Sequence, residues 1–180
     1  MKRRLFLVSA ILLVVASVGV FAAERRSKEV SYLASFNGPG TIDLTVTGGF
    51  SWFGLGLNAG AEFTVGQFDV GPVPLSWGIT AQGSVGLDPA GIGLAVSGLP
   101  TLNIGFDFGK NLRFEGFLGL GVGFVLESWA GGGSGLGISE YAGWTWWFAN
   151  SFGLTIEEGS VSAFGWGYWY FAGIGVTLKI

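Results

Sequence analysis

The chain has 180 residues, of which only 12% are charged and 49% are hydrophobic, and it contains neither His nor Cys. Without these residue types, Ser-His-Asp catalysis, thiol nucleophiles and His or thiolate metal sites are excluded. From residue 31 onward the basic residues are Lys110, Arg113 and Lys179, against ten acidic residues, so a nucleic-acid partner is not expected. The composition therefore predicts a non-enzymatic protein without a cofactor or a metal site.

The first residues carry the three-part pattern of a secretory signal peptide. A basic stretch at 2–4 precedes an uncharged apolar run from Leu5 to Phe21, and small residues at Ala22 and Ala23 offer a cleavage site. The alternative is an uncleaved anchor, because 17 apolar residues approach the shortest helix that spans a bilayer. The pattern predicts a signal peptide at 1–22, an N-terminal periplasmic segment at 23–39 and one further domain at 40–180.

After Gly40, apolar residues alternate with glycine and small polar residues. The odd positions from Leu55 to Val65 are apolar, whereas the even positions are Gly, Asn, Glu and Thr. A period of two predicts strands, and clusters of Gly, Pro, Asn and Asp mark the turns between them. The pattern predicts eight strands, at residues 40–50, 54–67, 75–87, 91–108, 112–127, 138–149, 152–158 and 164–180.

Two segments leave a count of ten strands open. Gly98-Leu99-Pro100 interrupts the fourth run, although the apolar residues keep their parity across it. Val30 to Phe36 also alternates, but this segment fits a short helix equally well. We prefer eight strands.

The faces of these strands indicate which medium each one meets. The interior of an eight-stranded barrel is only just wide enough to be filled by side chains, and the bulky apolar residues here are too numerous to fit inside it. If these bulky residues lie on the outside of the barrel, they require a hydrocarbon solvent. In such a solvent only helices and closed barrels satisfy all backbone N–H and C=O groups by hydrogen bonding. We therefore expect an all-β fold, an antiparallel up-and-down transmembrane barrel.

Two other architectures compete with this interpretation. A secreted, soluble, lipocalin-like binding barrel would carry charged residues on its outside, and these are sparse here. A membrane helix is suggested by the uncharged stretch from Gly159 to Leu178. However, glycine recurs there and elsewhere at every second position, whereas helix interfaces in lipid place small residues four apart.

The parity of the strands also selects candidate functional residues. Asp43, Glu62, Arg113 and Glu115 fall on the interior face, where buried charges must be paired, so we expect an ion network, with Arg113 bound to Glu62 and Glu115. The alternative is a path for protons or cations.

Aromatic residues near strand ends are expected at the two membrane interfaces; these are Trp52, Trp77, Trp144, Trp146, Trp166, Tyr168 and Tyr170.

The signal peptide, the alternating runs and their aromatic-rich ends resemble the small outer-membrane barrels of the OmpA transmembrane-domain and OmpX type. The resemblance is architectural and covers residues 40–180. It implies an outer-membrane location, with the lipid bilayer and the barrel-insertion machinery as partners. We expect a structural or surface-interaction role with an unidentified surface partner, the alternative being a narrow channel or small-ligand carrier. Residues 109–111 and 150–151 would form short periplasmic turns, and 129–137 would form the longest outer loop.

Overall fold

The structure is a computed structural model that describes residues 31–32, 37–51, 54–70, 73–89, 91–107, 113–128, 132–164 and 167–180. The predicted signal peptide lies outside the described residues. The strands are β1 Ser31–Tyr32, β2 Ile42–Ser51, β3 Gly54–Val70, β4 Val73–Asp88, β5 Gly91–Asp107, β6 Arg113–Glu127, β7 Ser134–Trp147, β8 Phe152–Ala163 and β9 Tyr168–Lys179.

Strands β2 to β9 form a closed antiparallel ring in which each strand pairs with the next, and β2 pairs with β9. The expected up-and-down, eight-stranded barrel is therefore confirmed. The short strand β1 is an addition to the ring, because it pairs with Phe106 and Asp107 at the end of β5. No helix in the described part of the chain is long and apolar enough to cross a membrane.

The proline in the fourth predicted strand does not divide it. The pairs Gly98↔Val122 and Thr101↔Gly119 flank the interruption in the same register, and only the two residues between them lack partners on β6. Proline has no N–H to donate, so this local gap is expected beside Pro100. The apolar face continues across it, since Val96 and Leu102 are both exposed on the outer wall.

Three predicted strand boundaries differ from the structure by four residues or more. β8 continues to Ala163 instead of ending at 158, β7 begins at Ser134 instead of 138, and β9 begins at Tyr168 instead of 164. At the first two boundaries glycine and serine occupy strand positions, so turn-forming residue types misplaced the predicted ends. The register of β3 against β4 also shifts between Thr64 and Gly66, which puts Phe68 on the outer wall.

The two faces of the barrel have opposite character. The outer wall carries exposed large apolar side chains along every strand, such as Phe50, Leu57, Ile79, Leu118 and Ile174. The inner face is dominated by buried polar residues, including Thr47, Thr101, Asn103, Ser139 and Thr155. An apolar exterior of this extent requires an apolar solvent, which is the distribution expected for a barrel in lipid.

Glycines on the inner face make room for large side chains that fill the barrel. A Cβ atom on Gly86 would lie 2.7 Å from Cη2 of Trp169, and one on Gly123 would lie 2.8 Å from Cγ2 of Val161. The alternating glycines therefore serve interior packing as well as tight curvature.

The connections are short at both ends of the barrel. At the end where β2 starts and β9 finishes, here called the Asn37 end, the three connections have two, five and four residues. At the opposite end they have two, two, six and four residues, the longest being 128–133. The longest connection shares residues 129–133 with the segment 129–137 expected for the longest loop, whereas residues 134–137 belong to β7.

Candidate functional site

The barrel interior at the Asn37 end contains a cluster of charged residues, the mouth cluster, formed by Asp43, Glu62, Glu115 and Lys179. Strand register brings them together, because Asp43 pairs with Lys179 on one side and with Glu62 on the other. The Lys179 ammonium lies 3.8 Å from Oδ2 of Asp43 and 3.9 Å from Oε2 of Glu115. This lysine therefore links two carboxylates from different parts of the ring.

Neutral groups complete the hydrogen bonding around Glu115. Asn37, which precedes β2 and is buried, donates from Nδ2 to Oε1 of Glu115 and accepts from Lys179 at Oδ1. The indole N–H of Trp147 donates to Oε2 of Glu115 over 2.9 Å. The side-chain amide of Gln67 donates to the backbone carbonyl of Asn37 over 3.0 Å, which ties the segment before β2 to the barrel wall.

Glu62 has a different set of partners. Thr80 donates its hydroxyl to Oε2 of Glu62 over 3.3 Å, and Asn103 donates from Nδ2 to Oε1. Gly78 provides the space for this carboxylate, since a Cβ atom there would lie 2.7 Å from Oε1 of Glu62.

The structure brings together three of the four predicted network residues, Asp43, Glu62 and Glu115, and places Arg113 differently. Arg113 lies at the start of β6 with its side chain 36% exposed, and it contacts Asp107 at 3.9 Å and Oδ1 of Asn150 at 2.8 Å. The cation among the carboxylates is Lys179 instead. The sequence could have predicted an inward position for Lys179, because this residue shares the inward-facing parity of the last strand with Thr177.

A further buried carboxylate, Glu157, lies deeper in the barrel and was not among the candidate residues selected from the sequence. It is 2% exposed. Asn58 and Tyr141 donate to it over 2.6 Å each, and Thr47 donates as well. Strand β8 positions Glu157 inward because Glu157 shares the odd-numbered, buried face of the strand with Thr155 and Val161.

A row of threonine hydroxyls crosses four strands between the two carboxylate regions. Oγ1 of Thr45 and Oγ1 of Thr177 are 2.8 Å apart, Thr177 is bonded to Thr155, and Thr155 lies 2.8 Å from Thr145. A hydroxyl can both donate and accept, so three hydrogen bonds link the four hydroxyls of the row to one another.

Apolar side chains help to fill the half of the interior away from the Asn37 end, where Ala95, Val125, Val161 and Trp169 form a buried cluster. Two small cavities lie among the described interior residues: one of about 10 Å³ lies beside Tyr141 and Trp169, and one of about 20 Å³ lies within the mouth cluster. Each has room for about one water molecule.

The predicted interfacial aromatics fall on the outer wall wherever the structure describes them. Trp77, Trp144 and Trp146 lie towards the Asn37 end, and Tyr168 and Tyr170 lie towards the opposite end. Trp52 and Trp166 lie outside the described residues. Trp147 and Trp169 alternate with these residues and point inward, where they are buried.

The outer wall also carries two acidic residues that the sequence did not single out. Glu140 pairs with Leu120, which lies in the middle of the apolar row of β6. Glu158, on the neighbouring strand, accepts a hydrogen bond from the Tyr170 hydroxyl over 3.3 Å.

Comparison with solved structures identifies the architecture. The N-terminal β-barrel domain of Pseudomonas aeruginosa OprF matches with a TM-score of 0.51 at 15% identity, over 79% of this chain and 99% of that domain. The outer membrane enzyme PagL matches with a TM-score of 0.57 at 16% identity, over 77% of this chain and 98% of that chain. The fold is that of the small outer-membrane β-barrels. At these identities the similarity shows the fold alone.

Sequence comparisons add nothing to this assignment. No protein-family model matches the chain, and no curated protein is significantly similar to it. Among the described residues, no group of three or more acidic side chains is arranged to hold a metal ion.

Proposed function

We propose that the protein is a sealed outer-membrane barrel with a structural or surface-interaction role, and that it is neither a channel nor an enzyme. The observation that carries this proposal is the filled interior. The mouth cluster and the threonine row occupy one half, and the apolar cluster around Trp169 occupies the other. The two cavities lined by the described interior residues have volumes of about 10 and 20 Å³, which supports a lumen without a continuous path and without a pocket for an organic ligand.

Membrane insertion is supported by the apolar outer wall, which would be an aggregation hazard on a soluble monomer. In this proposal the Asn37 end faces the periplasm, because the chain enters the barrel there after export. The lipid bilayer and the insertion machinery are the partners, together with an unidentified surface partner.

The signal peptide is removed near Ala22 or Ala23 in this proposal. The N-terminal sequence of the membrane-derived protein should therefore begin near Ala23 or Glu24, and an intact Met1 would contradict cleavage.

The non-catalytic part of the proposal rests on residue chemistry, because the fold does not decide it. PagL is an outer membrane enzyme with a similar fold. This chain has neither His nor Cys, which removes the histidine base of Ser-His-Asp catalysis and the thiol nucleophile.

Planar-bilayer recording tests the sealed lumen. The purified protein, shown by a mobility change between unboiled and boiled gel samples to be folded, should give no discrete conductance level. A reproducible open level would support the narrow-channel alternative and would overturn the sealed barrel. Carbonate washing of membrane fractions tests the location independently, since a soluble binding barrel would be released.

A further inference from the structure

The mouth cluster has more negative than positive charge. Asp43, Glu62 and Glu115 supply three carboxylates, whereas Lys179 supplies one ammonium, which lies within 3.9 Å of Asp43 and Glu115. The hydrogen bonds to Glu62 come from neutral groups, those of Thr80 and Asn103. A buried anion is strongly destabilising unless a positive charge or a proton compensates it. The surroundings of Glu62 therefore favour compensation of its charge by either a bound cation or a proton.

Two buried oxygen atoms in the same region have no hydrogen-bond partner among the described residues, Oδ1 of Asp43 and Oδ1 of Asn103. Asn103 is 3% exposed. In the structure its Nδ2 donates to Oε1 of Glu62, so the amide oxygen of Asn103 is left as a buried acceptor without a partner among the described residues.

Both of these residues line the cavity of about 20 Å³, together with Glu62 and Glu115. Five residues that carry hydroxyl groups also line this cavity, namely Thr45, Thr80, Thr145, Thr177 and Tyr141. Such a volume holds about one water-sized particle, and carboxylate, amide and hydroxyl oxygens are the ligands that hard cations prefer.

We propose that this cavity binds a single alkali-metal cation, with Glu62 as its charge partner and Oδ1 of Asn103 and Oδ1 of Asp43 as further ligands. A monovalent ion fits better than a divalent one for two reasons. No set of three acidic side chains in the described residues is arranged around a metal position, and the Lys179 ammonium already lies beside two of the carboxylates. The site goes beyond the proposed function and does not depend on it, because barrel closure alone forms the cavity.

The experiment is urea unfolding of the folded barrel in a zwitterionic detergent, titrated with NaCl and, at matched ionic strength, with choline chloride. Binding of one ion to the folded state lowers the unfolding equilibrium constant in proportion to ligand concentration above the dissociation constant. We expect about a tenfold decrease for a tenfold rise in Na⁺, and no such dependence on choline. Glu62→Gln, which keeps the shape and removes the charge, should abolish the Na⁺ dependence.

The matched control is Glu157→Gln, which neutralises another interior carboxylate, one that is 2% exposed and lies outside this cavity, and it should retain the Na⁺ dependence. Equal responses to Na⁺ and choline would show general screening and overturn the site. A Na⁺ response that persists in Glu62→Gln would also overturn the site. So would the absence of a Na⁺ response in the parent protein, which is expected if the cavity holds water or a protonated carboxyl. If Glu62→Gln does not fold, crystals of the parent protein soaked in RbCl decide: an anomalous peak between Glu62 and Asn103 supports the site, and its absence overturns it.

Discussion

The ammonium of Lys179 lies 4.3 Å from the ring centroid of Trp147, and the Trp147 indole N–H donates to Glu115, which Lys179 also contacts. A cation over an aromatic face is more strongly attracted when both are shielded from water. Trp147 is buried, so its ring and the carboxylates hold the lysine from different sides. Lys179 is thus the residue on which the charge arrangement of the mouth cluster depends.

Replacing Lys179 by Met should strongly destabilise the barrel. The substitution leaves Asp43 and Glu115 without their ammonium partner, and removing one member of a buried ion pair costs about 3–5 kcal/mol. Adding Asp43→Asn and Glu115→Gln to Lys179→Met should recover a large part of this loss. Urea unfolding in detergent micelles, followed by tryptophan fluorescence, measures all of these variants.

Arg113→Met is the control for this experiment. Arg113 is half-exposed at the barrel rim and its ion pair with Asp107 spans 3.9 Å, so the change should cost about 1 kcal/mol or less. If Arg113→Met proves as harmful as Lys179→Met, the assignment of Lys179 as the central cation is wrong.

The contrast between these two residues shows how far sequence parity reaches. Alternation assigned Asp43, Glu62 and Glu115 to the inner face, and the structure places them there in one cluster. The parity of a residue within its strand carries no information on where its side chain lies along the barrel axis. That position depends on the register of each strand pair. Arg113 begins its strand and lies at the rim, whereas the pairing of β2 with β9 puts Lys179 opposite Asp43.

Glu157 illustrates a second limit. Its neighbours Glu158, Gly159 and Ser160 have the composition of a turn, yet all of them lie within β8. The three hydrogen bonds that hold Glu157 come from β2, β3 and β7, so its stabilisation is tertiary and invisible in the local sequence. The eight-stranded architecture, in contrast, followed from local alternation and could be predicted.

Gly86→Ala should destabilise the barrel, because the added methyl group would lie 2.7 Å from the Trp169 ring and would also meet Ser51. Overpacking of this kind costs about 1–3 kcal/mol. Gly83→Ala on the same strand is the matched control. Its Cβ would approach no atom closer than 3.9 Å, so its unfolding midpoint in urea should stay near that of the parent protein. Equal midpoints for both variants would show that Trp169 does not pack against Gly86.

Glu140→Leu should stabilise the protein in a bilayer. Glu140 pairs with Leu120 on the outer wall. An acidic side chain at a lipid-facing position costs about 1–2 kcal/mol of folding free energy, which is less than the cost of an Arg or Lys at the bilayer midplane. The same replacement at Glu157 should have the opposite sign, since Thr47, Asn58 and Tyr141 would lose their buried acceptor. Unfolding from phospholipid vesicles gives both values. Destabilisation by Glu140→Leu would mean that this part of the wall is covered by something other than lipid.

Ile79 and Thr80 test the orientation of the whole wall, because these neighbours face opposite media. Ile79 is 55% exposed and Thr80 is 3% exposed. Ile79→Arg should cost about 2–4 kcal/mol in a bilayer, whereas Thr80→Ser keeps the hydroxyl and should cost about 1 kcal/mol or less.

Since the chain has no cysteine, single cysteines at 79, 81, 83 and 85 can carry spin labels alongside controls at 82 and 84. The odd positions should be relaxed by oxygen dissolved in the lipid, and the even positions should be protected. Protection at all six sites would mean that the wall does not meet lipid, and equal relaxation would contradict the inward orientation of Gln82 and Ser84.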